Sequence, residues 1–268
     1  EQIIIQSDDS ILVRGSFTEY NGIPVPGLVR LDQEGGLDTT FQTNLGTGAN
    51  SSIYTMALEA DGRILVGGDF TDFNGTSTEA LIRLNSSGTV NNSLTSPFLN
   101  THWMSEVRAI HTELDGKFMV VGAFYLGSDS VGYRSGIARL NAIGTRDTSF
   151  EPGVGLHLDA SVRSLSRGYT IVKLPDGYLV GGSFSAYNQN TANQFVRINT
   201  DGTFNRAYGT VFDLLPFTML IEPFGAALIG GSFDTPAEDF LRIKEDWTED
   251  TGFKSSGGPD QPGGSVSA

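Results

Sequence analysis

One short sequence phrase occurs five times along the chain. It consists of aliphatic residues, a glycine and, two positions after the glycine, a phenylalanine. Its shared glycines lie 49 to 60 residues apart, at Gly15, Gly68, Gly122, Gly182 and Gly231. A repeat of this length constrains the fold strongly, because every copy must form the same small unit and neighbouring copies must bury one another's apolar faces. We therefore interpret the chain as five copies of one supersecondary unit.

Two further phrases follow each glycine in a fixed order. The second phrase places an arginine between two apolar residues, and its arginines are Arg30, Arg83, Arg139, Arg197 and Arg242. The third phrase carries an aspartate or asparagine, and these residues are Asp38, Asn91, Asp147, Asn205 and Asp250. An Asp-Gly pair, the strongest short-range hairpin signal, precedes the glycine phrase in copies two to four. The segments between turns have about four to seven residues rich in Val, Ile, Leu, Phe and Thr, which indicates strands.

Each unit is predicted to be a four-stranded antiparallel meander with almost no helix. A sheet of this size cannot bury both faces alone, whereas radial repetition lets each blade cover its neighbours and leaves only short edges. The predicted fold is therefore all-β, a β-propeller of five repeats, each a four-stranded antiparallel blade. The alternative is a linear β-rich array of the same units.

The phase of the repeat sets the predicted domain boundaries. One domain is expected over residues 1–254, with units near 1–53, 54–106, 107–161, 162–217 and 218–254. Residues 255–268 are rich in Gly, Pro and Ser, as in a linker, and also resemble the start of a further repeat. Because residue 1 is Glu and the chain ends near the phase at which it begins, we expect either a ring whose ends meet or five units of a longer array.

Two recurrent features are predicted to be architectural. The double glycines that begin at Gly67, Gly181 and Gly230 lie inside a strand, where glycine marks a bulge or a close backbone approach. The alternative, a phosphate-cradling loop, lacks a following helix pattern and a Lys-Ser/Thr pair. A repeated arginine between blades needs a carboxylate or carbonyl partner, and the hairpin Asp of the same or next unit is the expected one.

The charge of the chain restricts its partners. It carries 31 acidic and 17 basic residues, a formal net charge of −14, and no basic cluster. Nucleic acid and anionic membrane surfaces are therefore not expected partners. The chain has no cysteine, which excludes disulfides and thiolate metal sites. No apolar run is long enough for a transmembrane helix, so membrane insertion is not expected either.

The order of the phrases also carries a family resemblance. Residues 61–70 (DGRILVGGDF), 81–85 (LIRLN) and 144–150 (GTRDTSF) together resemble the delta-sixty repeat family, a bacterial and phage β-propeller-like repeat. The fifth copy departs from the pattern, since Phe224 replaces the hairpin Asp and Lys244 replaces the Asn after the arginine phrase. The resemblance implies a part of a large surface, secreted or virion-tail protein, and it supplies no catalytic residues.

The sequence offers no motif for catalysis, metal binding or cofactor binding. Its histidines, His102, His111 and His157, lack the paired spacing of a metal site. The turn at residues 32–38 lacks the alternating carboxylates of a calcium loop. We therefore expect no catalytic residue, no metal and no cofactor. Some five-bladed propellers are glycosidases with acidic residues at the central funnel, so a carbohydrate-active enzyme with funnel carboxylates is the alternative.

Binding residues are expected where one copy departs from the others. The third repeat has a long loop at residues 125–135, and residues 97–105 carry His102 and Trp103. Variable loops on a rigid scaffold are common binding sites, and aromatic and arginine side chains are favoured contacts. The candidate binding residues are His102, Trp103, Tyr125, Tyr133 and Arg134. The alternative is that these loops pack against a neighbouring domain.

The leading functional hypothesis is a non-enzymatic β-propeller module, structural or binding, of a larger extracellular, cell-surface or virion-tail protein. Its expected partners are other proteins of that assembly and, in a binding role, glycans. A lectin with one site per blade is a further hypothesis, but it predicts aromatic residues at equivalent positions, and the loop aromatics do not recur.

Overall fold

The computed structural model of the protein describes residues 1–98, 105–129, 132–158, 166–207, 214–233, 240–246, 248–250 and 252–253. The chain divides into two compact units. The first unit comprises Glu1–Gly127 and Ala138–Asp147, and the second comprises Ser128–Ile137 and Thr148–Ala268. No helix within the described ranges is long and apolar enough to cross a membrane.

The first unit begins with two similar sets of strands. The first repeat has β1 (Gln2–Ile5), β2 (Ile11–Arg14), β3 (Glu19–Tyr20), β4 (Ile23–Pro24), β5 (Leu28–Leu31) and then helix α1 (Thr39–Leu45). The second repeat has β6 (Ile53–Leu58), β7 (Ile64–Gly68), β8 (Asp72–Phe73), β9 (Thr76–Ser77) and β10 (Leu81–Leu84). The longer strands form two antiparallel sheets, β1-β2-β5 and β6-β7-β10, and the short ones form the hairpins β3-β4 and β8-β9.

The third repeat has longer strands and no short hairpin in the described residues. Its strands are β11 (Glu106–Thr112), β12 (Phe118–Asp129) and β13 (Gly132–Leu140). They form one three-stranded sheet with β12 in the middle. The loop that was predicted at residues 125–135 is thus largely an extension of β12 and β13, which is a correction to the sequence analysis.

The second unit contains the fourth and fifth repeats. Their strands are β14 (Leu156–His157), β15 (Arg167–Leu174), β16 (Gly177–Ser183), β17 (Ala186–Tyr187), β18 (Asn190–Thr191), β19 (Phe195–Asn199), β20 (Phe204–Ala207), β21 (Leu214–Ile221), β22 (Ala227–Phe233) and β23 (Phe240–Ile243). The sheets are β15-β16-β19-β20, β21-β22-β23 and the small β14-β17-β18. The repeats are nearly all β, as predicted, whereas the closed five-bladed ring stays a prediction.

Among the described residues, only the fourth repeat has the predicted four-stranded sheet. In the other repeats the expected fourth strand is a single bridge: Leu31↔Leu37, Leu84↔Val90, Leu140↔Arg146 and Ile243↔Glu249. The prediction is therefore corrected to three strands and a bridge. The reason is local, because the third-phrase side chain turns the chain by accepting a backbone hydrogen bond, as Asp38 does from Phe41 and Asn91 from Ser93.

Helix α1 was not predicted. Asp38 caps its N-terminus, since the Oδ1 atom accepts a hydrogen bond from the Phe41 N–H at 2.9 Å. Phe41 and Leu45 are buried one turn apart, and the positive φ of Gly46 (63°) ends the helix. Seven residues are too few to show helical periodicity in a sequence, so the pattern gave no signal for this helix.

The repeated glycines lie where the backbones approach closely. In repeats two to five the first strand has a β-bulge opposite the glycine, at Ile53/Thr55, Val107/Ala109, Gly168/Thr170 and Pro216/Thr218. A Cβ atom on Gly68 would overlap the carbonyl oxygen of Ser52, and one on Gly122 would overlap that of Glu106. The predicted close approach is confirmed, and it explains why no larger residue occupies these positions.

Apolar clusters join successive sheets within each unit. Leu12 and Leu28 of the first repeat pack with Met56, Ile64 and Val66 of the second. The opposite side of the second sheet carries Leu65 and Leu81, which pack with Val107, Phe118 and Val120 of the third. In the second unit, Leu179 and Phe195 pack with Met219 and Ile229 in the same way. Within each unit, the back face of one sheet therefore packs on the front face of the sheet of the following repeat.

Candidate functional site

The binding residues predicted from sequence are only partly within the described structure. His102 and Trp103 lie outside the described residues. Tyr133 and Arg134 belong to β13, but their side chains also lie outside the described part. Tyr125 is in β12 and half-buried, and burial raises the pKa of its phenol. The role of all five residues in binding stays a prediction.

A polar cluster lies at the bulged ends of the second and third sheets. The Arg108 guanidinium stacks on the Tyr54 ring at 4.2 Å, and its Nε atom donates to Glu106 Oε2 at 2.8 Å. The Tyr54 hydroxyl donates to Asp69 Oδ2 at 2.7 Å. Burial, followed by the bond to Asp69, raises the pKa of Tyr54, so this phenol stays protonated at neutral pH. We name these four residues the Tyr54 cluster.

The Tyr54 cluster can accept one more hydrogen bond. The second carboxylate oxygen of Asp69, Oδ1, is buried and has no hydrogen-bond partner in the described structure. Such an oxygen favours a donor, either a water or a ligand hydroxyl or amine. Sequence reasoning missed this cluster because Tyr54 and Arg108 come from different repeats, and only the packing of one sheet on the next brings them together.

The repeated arginines form ion pairs, as expected for architectural residues. The pairs are Arg30–Asp38, Arg83–Glu59, Arg139–Asp147, Arg197–Asp176, and Arg242 with both Glu222 and Asp250. Of the pairs named here for the described residues, only Arg197–Asp176 has the predicted hairpin Asp as partner, so the prediction is corrected for the other pairs. In the second and third repeats the hairpin Asp61 and Asp115 instead accept hydrogen bonds from their own turns and pair with the adjacent Arg63 and Lys117.

The source of the carboxylate differs from one repeat to the next. The third phrase supplies it in repeats one and three, and the end of the first strand supplies it in repeat two. In repeat four both of these positions are uncharged, as Asn205 and Leu174, and the turn is one residue shorter because Leu174 pairs directly with Gly177. Asp176 then binds Arg197 through both of its oxygens at 2.7 Å. In every repeat a carboxylate thus neutralises the arginine, although the position of that carboxylate differs between repeats.

A cleft of about 720 Å³ lies in the second unit beside the turns of the fourth and fifth repeats. Its lining includes Pro175, Asp176 and Arg197 from the fourth repeat, and Pro223, Phe224 and Glu245 from the fifth. Proline and phenylalanine rings provide apolar walls, whereas the ion pair and Glu245 provide polar groups. The cleft can therefore contact a ligand that has both an apolar face and hydrogen-bonding groups.

Phe224 is the unusual residue of this cleft. Its side chain is 87% exposed, although it is one of the largest apolar side chains in the chain. It occupies the turn position that Asp61, Asp115 and Asp8 hold in other repeats, where Oδ1 accepts from the N–H two residues later. The sequence shows that Phe224 replaces the hairpin Asp. Its position beside the turn of the fourth repeat was not predictable without the strand register.

Within the described ranges, no group of three or more His, Asp or Glu side chains is placed to hold a metal ion. The Asp32 carboxylate, part of the turn considered as a calcium loop, instead accepts backbone hydrogen bonds from Glu34 and Gly36 at 3.1 and 2.6 Å. These bonds are those of an Asx turn.

The sequence matches a family model described as a domain of unknown function (DUF5122) beta-propeller, over residues 6–41, 59–94, 114–150 and 174–207. These segments lie in the first four repeats and together make up more than half of the chain. No curated protein matches the sequence.

Two solved structures from B. thetaiotaomicron resemble the chain distantly. The extracellular domain of BT4673, named as a one component system, has 15% identity and a TM-score of 0.33 over 91% of this chain and 33% of its own. The extracellular domain of BT3049, named as a hybrid two component system, has 10% identity and a TM-score of 0.27 over 92% of this chain and 38% of its own. The chain thus spans only 33% and 38% of these two structures, and likenesses this distant carry no argument about function.

Proposed function

Because the chain belongs to the DUF5122 beta-propeller family, we propose that it is a non-enzymatic β-propeller module that binds or positions a partner within a larger protein. The finer assignment to delta-sixty repeats is part of this proposal. We place the larger protein outside the cell, at a cell surface or in a virion tail, as that resemblance implies. Other proteins of such an assembly and glycans are the proposed partners.

The observation that carries the binding role is the exposed Phe224 beside the cleft. A phenylalanine in water loses the stabilisation of burial, of about 1.5–3 kcal/mol for a large apolar side chain, so its exposure favours a contact with a partner. The ring stands on the turn between β21 and β22, whose strands pair over seven residues of each. A rigid aromatic side chain on such a turn gives contact area at a low cost in conformational entropy.

The acidic residues support binding rather than catalysis. The hydrogen bond from Arg197 holds the pKa of Asp176 below its ordinary value, and that from Thr248 does the same for Asp246. Both carboxylates therefore stay ionised at neutral pH, whereas a glycosidase needs one carboxyl group with a raised pKa as its general acid. The carboxylates of Asp38, Glu59 and Asp147 are also held in ion pairs with the repeated arginines.

A glycan is the ligand class that best fits this cleft. The apolar face of a sugar ring can stack on Phe224, and its hydroxyl groups can donate to the exposed Glu245 or accept from Arg197. We therefore propose that this cleft binds a sugar ring, with Phe224 as the central contact residue.

A glycan array tests the proposal, with wild-type chain and the variant Phe224→Asp. This variant restores the residue that the other hairpins carry, so it removes the ring and keeps the turn. Glycan binding by the wild type and its loss in the variant are the expected results. Binding that is lost in Trp103→Ala and kept in Phe224→Asp would move the site to the loops predicted from sequence. Mass spectrometry of every bound glycan would detect turnover, and turnover would overturn the non-enzymatic proposal in favour of a carbohydrate-active enzyme.

A further inference from the structure

A carboxylate stands beside the Phe224 turn at a position that is uncharged in the other repeats. This position belongs to the turn that follows the repeated arginine, and Glu245 holds it in the fifth repeat. A Cβ atom on Gly225, the residue after Phe224, would lie 3.2 Å from the Glu245 Cγ atom, so the stem of this side chain packs over the hairpin turn. The corresponding residues of the first four repeats are Gln33, Ser86, Ala142 and Thr200.

The same position faces the preceding repeat. In the first unit, Arg30 Nη1 of repeat one donates to the Ser86 carbonyl oxygen of repeat two at 2.5 Å. In the second unit, Glu245 of repeat five lines the cleft together with Asp176 and Arg197 of repeat four. Both walls of the cleft therefore belong to the second unit.

The cleft carries more negative than positive groups. Its described lining holds three carboxylates and one guanidinium, which are those of Asp176, Glu222, Glu245 and Arg197. Arg197 Nη2 holds both oxygens of Asp176 at 2.7 Å, and Arg242 Nη2 donates to Glu222 Oε2 at 2.6 Å. Among the described residues, none forms an ion pair or a hydrogen bond with the Glu245 carboxylate. Glu245 can therefore pair with a cation of a ligand without breaking a bond inside the protein.

The ring next to Glu245 favours the same kind of ligand. A cation is attracted to the face of an aromatic ring, because the face of the ring carries partial negative charge. Phe224 is 87% exposed, so its ring is open to such a contact. A carboxylate beside an aromatic face favours a protonated amine over a neutral hydroxyl group, and the negative lining disfavours a ligand carboxylate.

We propose that the sugar bound in this cleft carries a free amine, and that Glu245 is the residue that selects it. The protonated amine donates to the Glu245 carboxylate, and the sugar ring stacks on Phe224. A sugar with a free amine therefore binds more tightly than its N-acetylated form, which has no charge. This inference rests on the glycan-binding role proposed above and adds the chemical class of the glycan.

The test compares two ligands that differ only in their amines. They are a short oligosaccharide of glucosamine and the same oligosaccharide with every amine acetylated, each titrated into the wild-type chain by isothermal titration calorimetry. A slightly acidic pH keeps the amine protonated, and low salt limits screening of the ion pair. We expect the free amines to raise the affinity on the order of tenfold, since they add an exposed ion pair and a cation–π contact.

Two variants assign the preference to one carboxylate. Glu245→Gln removes the charge and places there the residue type that the first repeat carries as Gln33, so the two affinities should become nearly equal. Asp246→Asn is the matched control, because it removes an equal charge from the adjacent exposed residue. Asp246 is not among the described lining residues of the cleft, and its Oδ1 atom accepts from the Thr248 N–H at 2.9 Å. This variant should keep the wild-type preference.

The outcomes separate this inference from the glycan proposal. Equal affinity of wild type for the two oligosaccharides, or tighter binding of the acetylated one, would overturn the inference and leave the glycan proposal standing. A preference that survives in Glu245→Gln, or falls as far in Asp246→Asn, would overturn it too, because the Glu245 carboxylate would not be its cause. Binding of neither oligosaccharide also overturns it, and if no glycan of the array binds, the glycan proposal fails as well.

Discussion

The Arg83 guanidinium and the Glu59 carboxylate form a buried bidentate pair. Arg83 Nε donates to Glu59 Oε2 at 2.6 Å, and Nη2 donates to Oε1 at 2.7 Å. The side chains are only 1% and 8% exposed, so neither charge can turn to bulk water if the other is lost. This pair joins the end of β6 to β10, and it is the most buried of the arginine pairs described above.

Glu59→Gln is expected to destabilise the protein by about 3–5 kcal/mol, because it leaves the Arg83 charge buried and without its carboxylate. Asp61→Asn is the matched control. The Asp61 carboxylate is 54% exposed and pairs with Arg63 at the surface, so its loss should cost less than about 1 kcal/mol. Urea unfolding of both variants measures the difference. Equal costs for the two substitutions would contradict the buried pairing.

Gly68→Ala and Gly15→Ala test the role of the bulge, since both change the same position of the repeat. Gly68 faces a bulged strand, and a methyl group there would overlap the Ser52 carbonyl oxygen. Gly15 lies beyond the register of β1, which begins with Gln2 opposite Arg14. The nearest atom to its Cβ is Phe17 Cδ1 at 3.0 Å, in a side chain that can turn aside. We expect Gly68→Ala to cost on the order of 3 kcal/mol and Gly15→Ala much less. Thermal unfolding measures both costs, and a similar loss of stability in the two variants would contradict the role of the bulge.

Asp38 should make the stability of the protein depend on acid pH. Burial works to raise its pKa, but hydrogen bonds from the Phe41 N–H and the Arg30 guanidinium outweigh burial and lower it. A lowered pKa in the folded state stabilises the protein above the unfolded value of about 3.9, and this contribution is lost as the pH falls through the folded value. Asp38→Asn keeps the helix cap and removes the charge. The difference in unfolding free energy between wild type and variant should be largest at pH 7 and disappear in stronger acid. A difference that does not change with pH would argue against a role for the charge.

Phe224→Asp is expected to raise the stability of the protein by about 1 kcal/mol. The new carboxylate can accept from the Ala226 N–H, as Asp61 does from the Arg63 N–H at 3.2 Å. Chemical unfolding measures the gain, with Phe224→Ala as the control that removes the ring without adding an acceptor. A loss of stability in both variants would mean that the ring packs within the protein, which would weaken its assignment to binding.

Much of each repeat could be predicted from its phrases. The alternation of apolar residues gave the three long strands, and the Asp-Gly and Asn-x-x-Gly signals gave turns in which Gly62 and Gly88 have φ of 82° and 91°. The short hairpins were missed, although Asn21-Gly22 and Asn74-Gly75 are strong turn signals with positive φ at both residues. Strands of two residues are too short to show a period, so only their turns mark them.

The candidate sites were less predictable than the strands. The Tyr54 cluster and the cleft each depend on which residues of one repeat pack against the next, and this depends on register and bulges that no single segment encodes. Helix α1 and the reduced fourth strand depend on whether one Asp or Asn side chain bonds to the backbone that follows it. A sequence pattern predicts which face of a strand is buried, whereas a single hydrogen bond of this kind is seen only in the three-dimensional structure.

The varied origin of the carboxylate beside each repeated arginine has a consequence for the way such repeats diverge. The loss of an acid at one position is tolerated when the second position holds one, as in repeat two, where Asn91 stands in the third phrase and Glu59 pairs with the arginine. It is harmful when the second position is uncharged, as for Asp38, because Gln6 occupies the strand-end position of repeat one. After duplication, each copy could therefore change its acidic positions separately, while selection kept one carboxylate beside its arginine. An average sequence of the five copies would combine residues that never had to work together, so a consensus repeat should be built around pairs of positions and not around single ones.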